Sequence, residues 1–210
     1  MNEWRVGDLK VTKVLENEDL WKGHIIAKDM TAENVLKEAD WLLPRFANEE
    51  GRIRISFHSL IVESGGLRIL IDTCVGNDKQ REFPRWNLQH WPYLADLAKA
   101  GYPRESIDRV ICTHLHVDHV GWNTMMHDGR WVPTFPNARY LLSRREWEHW
   151  SQSKEKRDPA THGRLGQAGH RRRTGGLDRR RPSGHQRDFH RVHSRSQPRA
   201  HGGAHPLAWP

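Results

Sequence analysis

The chain has 210 residues and a formal net charge of +8, and this charge is unevenly distributed. Residues 1–158 contain 23 Lys+Arg and 24 Asp+Glu, a net of −1, whereas residues 159–210 contain 11 Arg and 2 Asp, a net of +9. The length predicts one domain, or one domain with an appendage. Because the first three quarters of the chain are nearly neutral, the high isoelectric point does not predict a polyanion-binding domain there.

Several classes of protein are excluded by simple features of the sequence. Cys74 and Cys112 are too few for a disulfide scaffold, and both lie at the ends of apolar runs, which favours buried free thiols. The N-terminus has no basic stretch followed by an apolar one, so no secretory signal is expected. No window reaches the ~18 apolar residues that a membrane span requires. We therefore expect a cytoplasmic protein without a membrane partner.

In the first half of the chain, the hydrophobic pattern predicts an edge hairpin, a helix and a longer hairpin. In chain order the segments are Val6–Leu15, Thr31–Asp40, and the strand pair Arg52–Glu63 and Leu67–Asp72. Gly7-Asp8 is the predicted turn of the first hairpin, and Thr31 is a candidate helix cap. Ser64-Gly65-Gly66 closes the second hairpin, which has the strongest hairpin signal in the chain.

In the second half, strands alternate with helices. The predicted segments are a helix at Trp91–Ala100, strands at Arg109–Thr113 and Ala138–Leu142, and a helix from Ser143 through Trp150. Gly101 is a helix stop, and Ser143 with Glu146 fits a capping box. This order predicts a layered α/β (α+β) domain whose functional site lies at the ends of strands.

Four potential metal ligands, His114, His116, Asp118 and His119, follow the strand that ends at Thr113. In an extended stretch, His114 and His116 point the same way, while Asp118 and His119 lie across a turn and can reach a second ion. Imidazole and carboxylate donors suit zinc, with iron and manganese as alternatives. A lone histidine is usually structural, but this spacing after a buried strand favours a site for two divalent ions. Such ions can share a hydroxide that is nucleophilic at neutral pH.

The stretch Thr113-His-Leu-His-Val-Asp-His-Val-Gly121 resembles the signature of the metallo-β-lactamase superfamily, and Ile69–Thr73 is similar to the family's upstream strand. The resemblance covers about residues 5–158. It implies the N-terminal half of the family's αβ/βα sandwich, so residues 1–158 are interpreted as an incomplete metallo-β-lactamase-like domain.

The resemblance also implies roles for individual residues. His114 and His116 would belong to the first metal site, and Asp118 and His119 to the second. Asp118 would act in catalysis by orienting the attacking water or moving its proton. Asp72 would hold a ligand histidine by a hydrogen bond.

Other histidines and tryptophans are assigned less specific roles. His58 is interpreted as a polar strand residue, with contact to the site as the alternative. His127 and His149 are expected on the surface. Two roles are open for three tryptophans, namely Trp86, Trp91 and Trp122. They either line a substrate opening or are ordinary packing residues.

Within the superfamily, three segments look closest to the lactonase and organophosphate-hydrolase-like group, namely Ser59–Glu63, Ile69–Thr73 and Thr113–Asn123. This resemblance implies a zinc-type binuclear hydrolase that uses a metal-bound hydroxide on an ester, lactone or related bond of a small molecule. The alternatives are a thioester hydrolase of the glyoxalase II type and a phosphodiesterase or nuclease. A non-catalytic protein that binds polyanions through a basic tail is a third alternative.

Residues 159–210 differ from the rest of the chain. They contain 8 Gly, 5 Pro, 11 Arg and 7 His but no Lys, Ile or Tyr, and they show no apolar periodicity. Such a segment buries too little surface to offset its ordering entropy, so we predict a disordered tail without strands.

A complete family member needs a third histidine, a bridging aspartate and a last histidine beyond Asp158. The tail offers no convincing set, because its acidic residues, Asp178 and Asp188, both precede His193, the best-spaced histidine. We weigh three origins: a frameshift near residues 158–165, a basic tail that binds nucleic acid, and a metal-chelating His-rich tail. The abrupt loss of Lys favours the frameshift. The chain is thus expected to be truncated in its family domain and catalytically impaired.

Overall fold

The computed structural model describes residues 2–152 and the backbone of residues 189–192. The chain divides into two compact units, one formed by Leu15–His58 and the other by Met1–Val14 together with Ser59–Pro210. Each unit contains part of the second strand and part of the third.

Nine strands are present among the described residues. In chain order they are β1 Asn2–Val6, β2 Leu9–Lys22, β3 Arg52–Ser64, β4 Leu67–Ile71, β5 Arg109–Cys112, β6 Thr124–His127, β7 Arg130–Pro133, β8 Arg139–Ser143 and β9 Phe189–Val192. Seven of them form one sheet in the order β1-β2-β3-β4-β5-β8-β9, and β6 pairs with β7 separately. The α-helices are α1 Ala32–Lys37, α2 Ala39–Leu42, α3 Tyr93–Lys99 and α4 Arg144–Gln152. None of the described helices is long and apolar enough to cross a membrane.

Both predicted hairpins are confirmed. β1 pairs antiparallel with β2, with Val6 opposite Leu9, and β3 pairs antiparallel with β4, with Ser64 opposite Leu67. The second turn needs residues that tolerate left-handed backbone, and Gly65 and Gly66 have φ of 55° and 75°. The turn residues therefore fix the register of the longer hairpin.

The centre of the sheet is parallel, which the sequence analysis did not predict. β5 pairs in parallel with β4 on one side and with β8 on the other. The carboxyl ends of these strands consequently lie at one edge of the sheet. Asp72, directly after β4, and Thr113, directly after β5, are brought together at this edge.

The core of the larger unit lies between the sheet and α3. Ile61, Leu70 and Val110 are completely buried on the strands, and Tyr93 and Leu97 are completely buried on α3. These residues belong to a single cluster of buried side chains. The core also contains Cys74 and Cys112, so the prediction of buried free thiols is confirmed.

In the smaller unit, the predicted helix is present but interrupted. Thr31 caps α1, since its hydroxyl oxygen accepts a hydrogen bond from the Asn34 amide at 3.3 Å. The helix does not continue to Asp40, because Glu38 has φ of −103° and ψ of 21° and α2 begins after it. The apolar spacing at 35–39 extends over the break, which is why periodicity alone did not locate it.

Two strand regions differ from the sequence predictions. The β6–β7 hairpin was missed, although Asp128-Gly129 is a favoured two-residue turn. The prediction that no strand follows residue 158 is wrong at Phe189–Val192, which pairs antiparallel with β8. Four residues are too short for alternation to be detected, and the open edge of β8 supplies the hydrogen-bond partners. The remaining predictions for residues 159–210 lie outside the described residues.

Candidate metal centre

Two loops form the candidate site at the carboxyl edge of the sheet. We call residues 72–76 the aspartate loop and residues 113–122 the histidine loop. The Thr73 amide donates to the His119 carbonyl at 2.8 Å, and the Gly121 amide donates to the Cys74 carbonyl at 2.7 Å. A third backbone bond runs from the Trp122 amide to the Thr73 carbonyl at 2.7 Å. The backbone of one loop therefore holds the other in place.

The close approach of the two loops requires glycine at position 121. A Cβ atom there would lie 1.8 Å from the Val75 carbonyl oxygen and 2.5 Å from the Gly76 amide nitrogen. Both are backbone atoms, which cannot swing aside as a flexible side chain can. Gly121 thus has a packing role, independent of any contact with a ligand.

Asp72 links the loops through its side chain. Its carboxylate accepts hydrogen bonds from the Thr113 amide at 2.8 Å, the Thr113 hydroxyl at 2.7 Å and His119 Nδ1 at 2.8 Å. Its backbone is left-handed, with φ of 55°, a conformation that aspartate tolerates better than most residues. The carboxylate is therefore held in a fixed position between the end of β5 and His119.

The electrostatics of this contact set the protonation of both partners. Burial would raise the pKa of the Asp72 carboxyl, but hydrogen bonds from His119 and Thr113 outweigh it and hold the pKa below its ordinary value. Burial would lower the pKa of His119, but the bond to Asp72 and the charges of Asp118 and Asp72 raise it. An ionised Asp72 keeps a proton on His119 Nδ1 and leaves Nε2 for another partner. Nε2 lies 3.6 Å from the Asp118 carboxylate.

The three imidazoles of the histidine loop lie side by side. The His114 ring is 4.5 Å from that of His116 and 3.9 Å from that of His119, measured between centroids. Burial lowers the pKa of His114, and the charges of His119 and His116 lower it further. The neutral form favoured at His114 is the form that binds a metal ion.

The donor set matches a zinc-type ion in its chemistry. Three imidazoles and the Asp118 carboxylate would supply nitrogen and oxygen ligands, and the hydrogen bond from His119 Nδ1 to Asp72 is of the kind that orients metal-binding histidines. Within the described part of the chain, no three His, Cys, Asp or Glu side chains converge on a single point as a finished site. The described residues therefore do not form a metal site by themselves.

The other histidines singled out by sequence have different surroundings. His58 Nδ1 contacts the Ser56 hydroxyl at 3.1 Å and the Ser56 carbonyl at 2.9 Å, which suits a polar strand residue. His127 is exposed and lies 3.5 Å from the Asp128 carboxylate. His149 is exposed on α4, with its ring 5.3 Å from that of Trp150.

The three tryptophans are engaged in packing or in loop structure. Trp122 is buried and stacks on Tyr93 with 5.5 Å between ring centroids. Trp86 is half-buried, with its ring 5.1 Å from that of Phe83. The backbone of Trp91 bonds to the side chain of Asn77 at 2.9 Å in both directions.

Sequence reasoning missed two sets of contacts that support the histidine loop. Buried Asn123 accepts a hydrogen bond from the Thr73 hydroxyl at 3.1 Å and donates to Cys112 Sγ at 3.3 Å. Glu146, assigned to a capping box, accepts a hydrogen bond from the Leu115 amide at 3.0 Å. Neither pattern has a local sequence signal, because the partners are 11 to 50 residues apart.

Comparison with known families agrees with the fold. The chain matches the family model of the metallo-beta-lactamase superfamily over residues 57–207. The protein belongs to this superfamily, as the sequence resemblance predicted. The matched stretch includes both loops and continues beyond residue 158 through most of the predicted tail.

Three solved structures are similar to this chain. One is a probable metal-dependent hydrolase from Staphylococcus aureus, with 21% identity, a TM-score of 0.56, and coverage of 76% of this chain and 55% of the other. AidC, a dizinc quorum-quenching lactonase, has 21% identity, a TM-score of 0.55, and coverage of 73% and 48%. The hydrolase AbOPH has 27% identity, a TM-score of 0.54, and coverage of 73% and 47%. This chain therefore spans about half the length of these proteins. A search of curated proteins gave no match.

Proposed function

We propose that this protein is a metal-dependent hydrolase that cleaves an ester, lactone or related bond in a small molecule, with zinc as its metal. The observation that carries the proposal is the packing of three imidazoles and a carboxylate on one loop, with His119 oriented by Asp72 at 2.8 Å. Membership of the superfamily and the 27% identity to the hydrolase AbOPH support this class of reaction.

The ligands would divide into two pairs. His114 and His116 would hold one ion, and Asp118 and His119 would hold the other. A divalent metal in such a site polarises the scissile carbonyl and activates water at neutral pH. Iron or manganese would supply similar chemistry with the same donors.

The protein's own residues would prepare the reaction in three ways. Asp72 keeps the proton of His119 on Nδ1, so that Nε2 remains available as a ligand. Asp118, whose side chain is 23% exposed, would orient the attacking water and take up its proton. The aspartate loop holds the histidine loop by backbone hydrogen bonds, which limits reorganisation when a ligand binds.

The lactone or ester preference rests on the likeness of Ser59–Glu63, Ile69–Thr73 and Thr113–Asn123 to the lactonase and organophosphate-hydrolase-like group. A thioester hydrolase and a phosphodiesterase share the histidine motif and differ mainly in substrate loops. A polyanion-binding role would depend instead on the arginines of residues 159–210.

We also propose that turnover by this chain is low. Only four of the expected ligands are found before residue 158, and the sequence beyond it lacks an acidic residue after His193. Translating the gene in all three frames from codon 150 tests the frameshift. We expect a second frame to resume with strand patterns, followed by a Gly/Pro-flanked histidine, an aspartate and a final histidine. Three frames without such a continuation would show that the tail is genuine.

The function is tested with purified protein that is stripped by a chelator and reloaded with Zn²⁺, Mn²⁺ or Fe²⁺. The substrates are an acylated γ-lactone, an aryl ester, a thioester, an aryl phosphotriester and a phosphodiester. We expect slow lactone or ester hydrolysis, well below the roughly 10 per second of a typical enzyme. Chelation and His116→Ala should abolish it, whereas the exposed control His127→Ala should not. Equal rates in wild type and His116→Ala would contradict the proposal.

A further inference from the structure

Helix α4 contacts the histidine loop through Glu146. One carboxylate oxygen, Oε2, accepts hydrogen bonds from the Leu115 amide at 3.0 Å and from Trp150 Nε1 at 3.2 Å. Glu146 is half-buried on the helix that follows β8. A carboxylate from one element therefore binds the backbone of another, 31 residues away in sequence.

The position of Leu115 gives this contact its importance. Leu115 lies between His114 and His116, and its side chain is only 1% exposed. Packing in the core holds the Leu115 side chain in place, and the hydrogen bond to Glu146 holds the direction of the Leu115 amide. Because the peptide group is planar, the direction of the Leu115 amide orients the plane that joins His114 Cα to Leu115 Cα, and with it the backbone from which the His114 side chain projects.

Trp150 adds a second contact from the same helix. Its ring meets the His116 ring edge-on, with centroids 5.7 Å apart and planes at 81°. The same indole donates to Glu146. Glu146, Trp150 and His116 thus form a continuous chain of contacts from α4 to the loop.

We propose that Glu146 is a positioning residue of the metal centre, which sets the direction of His114 by its hydrogen bond to the Leu115 amide and that of His116 through Trp150. This role rests on the proposed function, in that these histidines bind the metal. It differs from a capping box, in which the same carboxylate would act only on the first turn of α4.

Three variants separate this role from other effects. Glu146→Ala removes the acceptor, and mutation of a residue that supports a metal ligand typically costs 10–100-fold in metal affinity. Glu146→Gln keeps an oxygen that can accept from the Leu115 amide and removes only the charge, so we expect a loss within about 3-fold. Glu148→Ala removes an exposed glutamate from the same helix and should bind metal as wild type does.

The first measurement is a Co²⁺ titration of the full chain, followed by the visible absorption of the bound ion and by calorimetry. Glu146→Ala should bind about 10–100-fold more weakly and with an altered spectrum, while Glu146→Gln and Glu148→Ala stay near wild type. Thermal melts of each metal-free variant establish that the affinities compare folded proteins. Wild-type affinity and spectrum in Glu146→Ala would overturn the inference, as would equal losses in Glu146→Ala and Glu146→Gln.

The second measurement is amide hydrogen exchange of residues 113–120 in the metal-free chain, which does not depend on the proposed function. Leu115 should exchange faster in Glu146→Ala than in wild type or Glu148→Ala. Unchanged exchange would overturn the inference even if metal affinity fell. Failure of the wild-type chain to bind Co²⁺ would overturn the proposed function, and the exchange result would still decide whether Glu146 orders the loop.

Discussion

The histidine loop and the smaller unit Leu15–His58 hold their side chains in different ways. In the loop, Thr113 and His119 bond to Asp72 across 41 and 47 residues of sequence. In the smaller unit, several side-chain bonds are local, such as Trp41 to Glu38 and Lys37 to Asn34. That unit also exposes large apolar side chains, namely Ile25 at 53%, Ile26 at 55%, Trp41 at 62% and Phe46 at 48%.

The two regions should therefore tolerate substitution to different degrees. A loop held by distant, buried partners has one geometry, and the loss of a single partner affects every residue that it positions. A segment held by neighbours in sequence can lose one side chain with a local effect only. We therefore expect substitutions of equal size to have large effects at the loop and small ones in the smaller unit.

The largest effect is expected from Gly121→Ala. The added Cβ would meet the Val75 carbonyl oxygen at 1.8 Å, so the two loops must separate. We expect the free energy of unfolding to fall by about 3 kcal/mol or more, as for severe overpacking, and metal binding to be lost. Urea unfolding measures the first and calorimetry the second.

Gly66→Ala is the matched control for this substitution. Gly66 has a φ of 75°, and a Cβ there would meet nothing within 4 Å. Its cost is limited to backbone strain, about 1 kcal/mol. Equal destabilisation by the two variants would contradict the close approach of the loops.

A loss of metal affinity with a smaller loss of stability is expected from Asp72→Asn. Asparagine tolerates the φ of 55°, and its carbonyl can still accept from the Thr113 amide. Its amide would donate to His119 Nδ1, so that the neutral ring carries its proton on Nε2 instead. We expect zinc affinity to fall about 10–100-fold.

This prediction is checked by zinc calorimetry together with NMR of the His119 ring nitrogens in Asp72→Asn and wild type. The wild-type ring should carry its proton on Nδ1 and the variant ring on Nε2. Unchanged zinc affinity with a switched tautomer would show that Asp72 does not act through His119.

A small effect in the larger unit is expected from Glu63→Gln. Glu63 accepts a hydrogen bond from the Tyr102 hydroxyl at 2.6 Å and lies 3.6 Å from Lys10 Nζ. The hydrogen bond from Tyr102 outweighs the desolvation of the Glu63 carboxylate and holds its pKa below its ordinary value. The stabilisation is therefore present above the ordinary pKa of about 4.3 and is lost as pH falls through the lower folded value.

The expected size of this effect is about 0.5 kcal/mol at pH 7, because the Glu63 side chain is 37% exposed and solvent screens the interaction. Urea unfolding of Glu63→Gln and wild type from neutral pH down to about pH 3 should show the difference disappearing in acid. A difference that grew on acidification would contradict the assigned sign.

The smallest effect is expected from Trp41→Ser in the smaller unit. Trp41 is 62% exposed, and its indole bonds to Glu38 one turn earlier at 2.9 Å. We expect a stability change within about 0.5 kcal/mol and unchanged zinc affinity. Zinc calorimetry measures the affinity. A loss of several-fold would contradict the expectation that substitutions in the smaller unit leave the histidine loop unaffected.

Much of the fold could be predicted from sequence because it depends on local signals. Gly65-Gly66 fixed one turn, Thr31 marked a helix start, and the apolar run at Arg109–Thr113 marked the strand before the histidines. The Asp128-Gly129 hairpin had such a signal and was missed. The break at Glu38 had none, because the apolar spacing continues across it.

The candidate site was predictable only in part. The donors on the histidine loop are close in sequence, so their spacing reveals them, and the resemblance to the superfamily pointed to Asp72. The Glu146 contact with Leu115 and the Asn123 contacts depend on how α4 and the two loops pack. Tertiary packing decides such contacts, and a single sequence does not encode them locally. Metal binding by the histidine loop stays a prediction.

The central claim is that the histidine loop is a metal site, and zinc content tests it most directly. Wild type, His116→Ala, His119→Ala and the exposed control His127→Ala are dialysed against buffered zinc and measured by elemental mass spectrometry. We predict bound zinc in wild type and His127→Ala, and at least roughly 10-fold weaker binding in the two loop variants. Equal zinc content in all four proteins, or none in wild type, would contradict the claim.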